Sequence, residues 1–232
     1  MNENKKNIGF INSIYNGSAV DGPGIRCIIF FSGCNLKCPF CHNPENLYTV
    51  GEEYSPFLLL SNVLRYKNYI KNGGITLSGG EPFLQKDFVC EFIDLLRKND
   101  INVAIETNGT VLEKELILKA DLLIVDIKNQ FDSPENEVIE SKQKDFLNFC
   151  SQNNVKVKLT NVVIEGVNDD VTHLQNLKNL AVLYKINDVT FLPFHKLCQQ
   201  KYDNLNIKFP FASYNATSKD TINFVQKLFK NL

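Results

Sequence analysis

The chain has 232 residues, of which 44% are hydrophobic and 22% charged, and a formal net charge of −1. That length can bury one large core, and a single domain over residues 1–232 is expected. The balanced charge argues against a nucleic-acid or anionic-membrane partner, either of which would favour a basic surface. No apolar run approaches the roughly 20 residues of a membrane span, and the opening MNENKKNIGF has no apolar stretch of the signal-peptide kind. Seven cysteines, an odd number with three clustered, do not read as a secreted disulfide framework. A reducing, cytoplasmic setting is expected.

In chain order, residues 8–15 read as an extended entry strand or hairpin. The segment Asp21-Gly22-Pro23-Gly24 is a turn, because two glycines flanking a proline cannot sit inside a helix. Ile25 to Phe31 reads as a buried strand. A loop follows with Cys34, Cys38 and Cys41 in a C-x3-C-x2-C spacing. A helix is expected over 55–72, stopped by Gly73-Gly74. Ile75 to Ser78 is a second strand running into Gly79-Gly80-Glu81-Pro82. Next come a helix over 87–98, a strand over 103–106 followed by Thr107-Asn108-Gly109, and a short helix ending at 116–120. A strand over 122–127, interrupted by Asp126, leads to Lys128. Helices are expected over 135–152, 171–184 and 216–231, strands over 155–164 and 189–193, and irregular chain over 197–214. Six main strands alternating with helices predict an α/β fold of parallel βαβ units, short of the eight that close a full barrel.

Three thiolates within eight residues can converge on one soft metal centre. They cannot close a four-ligand zinc site or fill all four positions of a 4Fe-4S cluster. A cluster with one iron open to a small molecule is the catalytic reading. The plain alternative is a zinc knuckle with His42 as fourth ligand, but His42 directly follows Cys41 and no second ligand pair is visible. Asp126 in an apolar strand is costly unless paired or metal-bound, and Lys128 is its ordinary partner. Gly79 and Gly80 could serve a tight turn or the close approach of a ligand to the backbone. Cys90 reads as a buried helix residue and Cys27 as part of a strand. Cys150 and Cys198 receive no role.

The C-x3-C-x2-C spacing, with Phe40 before its last cysteine, resembles the radical S-adenosylmethionine (SAM) superfamily. Asp21-Gly22-Pro23-Gly24-Ile25-Arg26 and Cys41-His42-Asn43 resemble the glycyl-radical-enzyme activating enzymes, most of all the branch acting on pyruvate formate-lyase. The likeness runs from about Gly9 into the last helix. It implies a partial (β/α)6 TIM-like barrel of the radical SAM type, with the chemistry at the C-terminal ends of the strands. It also implies a 4Fe-4S cluster on Cys34, Cys38 and Cys41. SAM would be contacted by Phe40, His42, Gly79, Gly80, Glu81, Glu106, Asn108, Lys128 and His195. A monovalent cation, Na+ or K+, would lie among Glu106, Thr107, Asp126 and the carbonyl of Ile124. Asp21, Gly22, Pro23 and Gly24 would face the protein substrate.

The implied partners are a glycyl radical enzyme, pyruvate formate-lyase first and another glycyl radical enzyme as the alternative, and a flavodoxin or ferredoxin as electron donor. The chain itself is expected to act as a monomer. Two departures from the family pattern stand out. Glu106 replaces the usual aspartate, and Thr160 replaces an arginine, with Lys158 on the same strand face as its candidate substitute. A radical SAM enzyme acting on a small molecule, such as a 7-carboxy-7-deazaguanine synthase, would share the cysteines and the GGEP segment. A non-catalytic metal-binding module would share only the cysteines.

Overall fold

The computed structural model describes residues 7–128 and 134–230, which form two compact units. The first comprises, among the described residues, 7–37, 45–107 and 113–123. Its strands are β1 (Gly9–Ser18), β2 (Arg26–Phe31), β3 (Glu52–Tyr54), β4 (Gly74–Gly79) and β5 (Val103–Thr107), in the sheet order β3-β1-β2-β4-β5. The β1–β2 hairpin is antiparallel, whereas β2, β4 and β5 run parallel with Phe31 opposite Gly79 and Leu77 opposite Ile105. β2 is buried on both faces, as its nearly continuous apolar run predicts. β3 carries only Glu-Glu-Tyr and pairs with the start of β1. So short and polar a strand leaves no periodic signal.

Helix α1 (Pro56–Leu64) starts on Ser55, whose hydroxyl accepts from Leu58 N–H, with proline in the first turn. The single helix expected over 55–72 is broken here. Tyr66 leaves helical torsions at φ −107°, and a separate turn, α2 (Lys67–Ile70), follows. α3 (Lys86–Arg97) buries Phe88, Val89, Phe92, Ile93 and Leu96 at three- and four-residue spacings. α4 (Lys114–Lys119) is the short helix expected there.

Arg26 anchors the base of this unit. Its guanidinium is 1% exposed and donates to Thr76 Oγ1 (2.8 Å), the carbonyls of Gly73 (2.7 Å) and Ile75 (2.6 Å), and Asn102 Oδ1 (3.0 Å). Burial pulls its pKa down to about 10, still far above neutrality, with Asp121 and Asp21 opposing the shift. The guanidinium therefore stays charged, and the carbonyls carry that charge in place of a carboxylate partner.

The second unit comprises, among the described residues, 38–44, 108–112, 124–128 and 134–230, and β6 is Leu122–Asp126. Here β6, β7 (Val157–Val163) and β8 (Val189–Pro193) are neighbours in that order, with β7 and β8 parallel. α5 (Pro134–Gln152) precedes β7, and α6 (Val171–Leu183) starts on Asp170, whose carboxylate accepts from His173 N–H. The stretch expected to be irregular contains a helix, α7 (Gln199–Asn204). The closing helix, α8 (Lys219–Leu228), is shorter than expected, and residue 231 of that expectation lies outside the described residues. An apolar cluster of Phe40, Val162, Ile164, Phe194, Cys198, Tyr202, Phe209 and Phe211 fills this unit, with Cys38 packed against it.

The architecture is thus α/β with a mostly parallel sheet. The six main strands expected are present, the entry strand expected over 8–15 is the antiparallel β1, and among the described residues only β3 is added to that expectation.

Candidate cofactor site

β2 leads through Ser32 and Gly33 into Cys34. Gly33 N–H donates to the carbonyl of Asn46 (2.9 Å). Gly80 N–H and Glu81 N–H donate to the carbonyls of Phe31 and Gly33, each at 2.8 Å. Two backbones meet here with no room for a side chain. A Cβ on Gly80 would lie 2.0 Å from the Gly33 carbonyl oxygen, and one on Gly79, which has φ +107°, would lie 2.3 Å from Phe31 N. These glycines thus have a reason internal to the protein: they let the end of β4 clamp the strand that carries Cys34. The Glu81 carboxylate is buried, and accepts from Phe83 N–H (3.1 Å) and the Thr107 hydroxyl (2.9 Å). It therefore caps the turn that follows it. Glu106 accepts a hydrogen bond from Ser78.

Asp21, Gly22, Pro23 and Gly24 lie at the start of β2, with the whole strand between them and Cys34. Arg26 donates to the Pro23 carbonyl (3.2 Å), and Thr76 Oγ1 to that of Asp21 (2.5 Å).

In the second unit, Cys41 N–H closes a turn onto the carbonyl of Cys38 (3.0 Å). Phe40, between them, is 2% exposed and meets Phe211 edge-to-face at 6.2 Å. Burying such a ring contributes about 2–3 kcal/mol, so the turn is fixed largely by its own aromatic residue. The Tyr202 hydroxyl donates to the Cys41 carbonyl (3.0 Å), and Lys201 Nζ to Asn43 Oδ1 (2.8 Å). His42 Nε2 lies 2.9 Å from the carbonyl of His195, with the two rings edge-to-face at 4.4 Å. A carbonyl only accepts, so this contact selects the Nε2–H tautomer. Burial holds the His42 pKa below its ordinary value. That imidazole is thereby engaged with His195.

Lys128 Nζ pairs with Asp126 and lies 5.4 Å from the centre of the Phe40 ring. Burial opposes its charge, but Asp126 and then Cys38 and Cys41 outweigh this and push its pKa up. Burial raises the Cys38 thiol, with Lys128 acting against that shift. The Asn108 side chain accepts from Thr110 N–H (3.0 Å), and its carbonyl accepts from Gln143 Nε2 (2.7 Å). Gln143 also donates to the carbonyl of Asp126 (3.1 Å).

Ile127 N–H donates to Thr160 O, the same offset that pairs Leu159 with Val189 through Leu159 N–H and Asp188 O. Asp126 is therefore the register partner of Thr160. Both expose a buried oxygen with no hydrogen-bond partner among the described residues, Asp126 Oδ1 and Thr160 Oγ1. Lys158 instead lies 3.9 Å from Asp188.

Residues 20–144 match the family described as a 4Fe-4S single cluster domain. The pyruvate formate-lyase-activating enzyme of Clostridium pasteurianum is 34% identical over 97% of this chain and 98% of its own length. The pyruvate formate-lyase 1-activating enzyme of Escherichia coli K12 is 30% identical over 94% of each. The chain belongs to the pyruvate formate-lyase-activating enzyme family. It is therefore a radical SAM activating enzyme. Among solved structures, Streptococcus suis SuiB bound to its precursor peptide SuiA superposes with a TM-score of 0.59 at 18% identity, over 73% of this chain and 39% of that one. That is a likeness of fold.

The activating-enzyme family needs a cluster, and the donor set suits one. Cys34, Cys38 and Cys41 are half-buried thiols outside any disulfide, and sulfur is the donor iron–sulfur clusters take. Among the described residues, no three His, Cys, Asp or Glu side chains are drawn together as a site for a single metal ion. Three residues at the site escaped sequence reasoning: Gln143, Lys201 and Tyr202. Gln143, a 2%-exposed amide on α5, offered the one usable signal, a polar residue on a core-facing helical position.

Proposed function

We propose that this activating enzyme cleaves SAM reductively at a 4Fe-4S cluster held by Cys34, Cys38 and Cys41, and takes a hydrogen from a glycine Cα of pyruvate formate-lyase. When bound, the cluster supplies the reducing electron and SAM the hydrogen-abstracting fragment. The observation that carries this reading is the Cys38–Cys41 turn. It sits against a wall of phenylalanines with the Lys128 ammonium beside it, in a chain 34% identical over its length to an activating enzyme of that partner.

The chain's own residues would do four things. The phenylalanine wall keeps water and competing hydrogen donors from the reacting fragment. Lys128 places a fixed positive charge beside two ligand thiolates. Asp126 Oδ1 and Thr160 Oγ1, the partnerless oxygens, hold the polar end of SAM or the monovalent cation beside it. The carbonyls of Gly79 and Gly80 receive the amino group, their N–H sides being turned to other work at Gly80. A flavodoxin or ferredoxin delivers the electron. No side chain acts as a general base.

The test is anaerobic. The reconstituted protein is given reductant, SAM and pyruvate formate-lyase, and the electron paramagnetic resonance spectrum is recorded while 5′-deoxyadenosine is assayed. A glycyl-radical doublet with matching deoxyadenosine is expected. Deoxyadenosine without the doublet would remove pyruvate formate-lyase as the partner. Neither signal, from a protein holding a reducible cluster, would remove the reaction itself.

A further inference from the structure

The Cys38–Asn43 limb of the cysteine loop is held by the segment from Phe194 to Phe211, of which the SAM reading uses His195 and not α7. Three kinds of contact converge. Tyr202 donates to the Cys41 carbonyl and Lys201 to the Asn43 side chain, from adjacent positions of α7. His42 donates to the carbonyl of His195. Phe194, Tyr202, Phe209 and Phe211 share one apolar cluster with Phe40, Phe211 meets the Phe40 ring edge-to-face, and the Tyr202 and Phe209 rings lie 4.6 Å apart. α7 is only six residues long, so it holds its place through these contacts and not through its own helical stability. Its single buried residue is Tyr202.

We infer that α7 is a clasp for the cluster-bearing loop, with Tyr202 and Lys201 as positioning residues that govern how firmly the cluster is retained. The proposal rests on the cluster reading above. The physical ground is that ligands of a metal centre are oriented by the groups that hydrogen-bond to them and their peptides, and that losing such a group weakens metal retention by about 10–100-fold. The Tyr202 hydroxyl fixes the peptide of Cys41. Lys201 fixes the side chain two residues on. The ring of Tyr202 belongs to the apolar cluster, so only its hydroxyl needs to change.

The experiment uses cluster-loaded full-length protein under anaerobic conditions. The rate at which an iron chelator bleaches the cluster is followed, and iron and sulfide per chain are counted at the start. Tyr202→Phe is expected to load fully, melt as apoprotein within about 4 °C of wild type, and bleach about 10-fold faster. Lys201→Gln is expected to bleach faster by a smaller factor, and the two changes together to exceed either alone. Bleaching of Tyr202→Phe within about 2-fold of wild type would overturn the clasp, as would a fall in apoprotein melting temperature large enough to account for faster bleaching. A wild-type protein that loads no four-iron cluster would instead overturn the function proposed above, so the two failures are distinguishable.

Discussion

Adding one methyl group at Gly80 should do more harm than removing any single surface contact. In Gly80→Ala the new Cβ would stand 2.0 Å from the Gly33 carbonyl oxygen and 2.9 Å from that of Asn46, where real Cβ contacts essentially never fall below 3.0 Å. The obstacle is backbone, so no side chain can rotate away. β4 and the Gly33–Cys34 segment must separate by about 1 Å. That stretches the two 2.8 Å bonds from Gly80 and Glu81 beyond hydrogen-bonding range. Two lost backbone bonds cost about 2 kcal/mol and overpacking a further 1–3 kcal/mol. For a chain of this size the apoprotein should melt roughly 10 °C lower. Because the displaced segment carries Cys34, iron per chain after reconstitution should fall as well. Gly17→Ala is the control. Its φ of +98° makes alanine strained, but nothing lies within 4 Å. It should cost about 1–2 kcal/mol and leave iron binding unchanged. Thermal melting and iron analysis decide the matter. Wild-type melting and iron in Gly80→Ala, or equal iron loss in Gly17→Ala, would refute the clamp.

Arg26→Met should remove about 3–5 kcal/mol, because it strands buried carbonyls that now accept from the guanidinium. Urea unfolding of the apoprotein measures this, and a loss under 1 kcal/mol would contradict it. Lys128→Met should leave the Asp126 carboxylate buried and uncompensated, for a loss of roughly 3–5 kcal/mol. Adding Asp126→Asn should recover most of it, and a double variant no more stable than the single one would count against the pairing. Alkylation of native apoprotein at pH 8, read by mass spectrometry, should mark the half-buried Cys34 and Cys41 first. Cys27 and Cys150 should resist, because both are buried and their thiols are pushed up to about 12. Labelling of Cys27 as fast as Cys34 would show that β2 opens readily.

The parallel strands were legible because β2 and β6 are almost continuous apolar runs and because β2, β4 and β6 end in punctuation: a cysteine loop, Gly79-Gly80 and Asp126. The cysteine spacing needed no structure. What stayed hidden lacked a periodic signal. The break between α1 and α2 falls at Arg65-Tyr66 with no glycine or proline to announce it. α7 reads Gln-Gln-Lys-Tyr-Asp-Asn with one buried residue, too little for an amphipathic pattern. Glu81 reads from the sequence as a ligand contact in a Gly-Gly-Glu-Pro segment, with no sign of its packing role. Its burial and its bonds to Phe83 and Thr107 come from tertiary packing that spacing along the chain does not encode.

The hydrogen bond from Tyr202 to the Cys41 carbonyl also has an optical consequence. The chain contains eight tyrosines and no tryptophan, so its ultraviolet emission is tyrosine emission alone. One of those fluorophores is bonded, at 3.0 Å, to the peptide of Cys41, a proposed cluster ligand. Iron–sulfur clusters absorb broadly across the range where tyrosine emits, so this residue should be dark in the loaded enzyme and brighten as iron leaves. The enzyme then carries a built-in reporter of its own cofactor, readable without label on the unmodified chain.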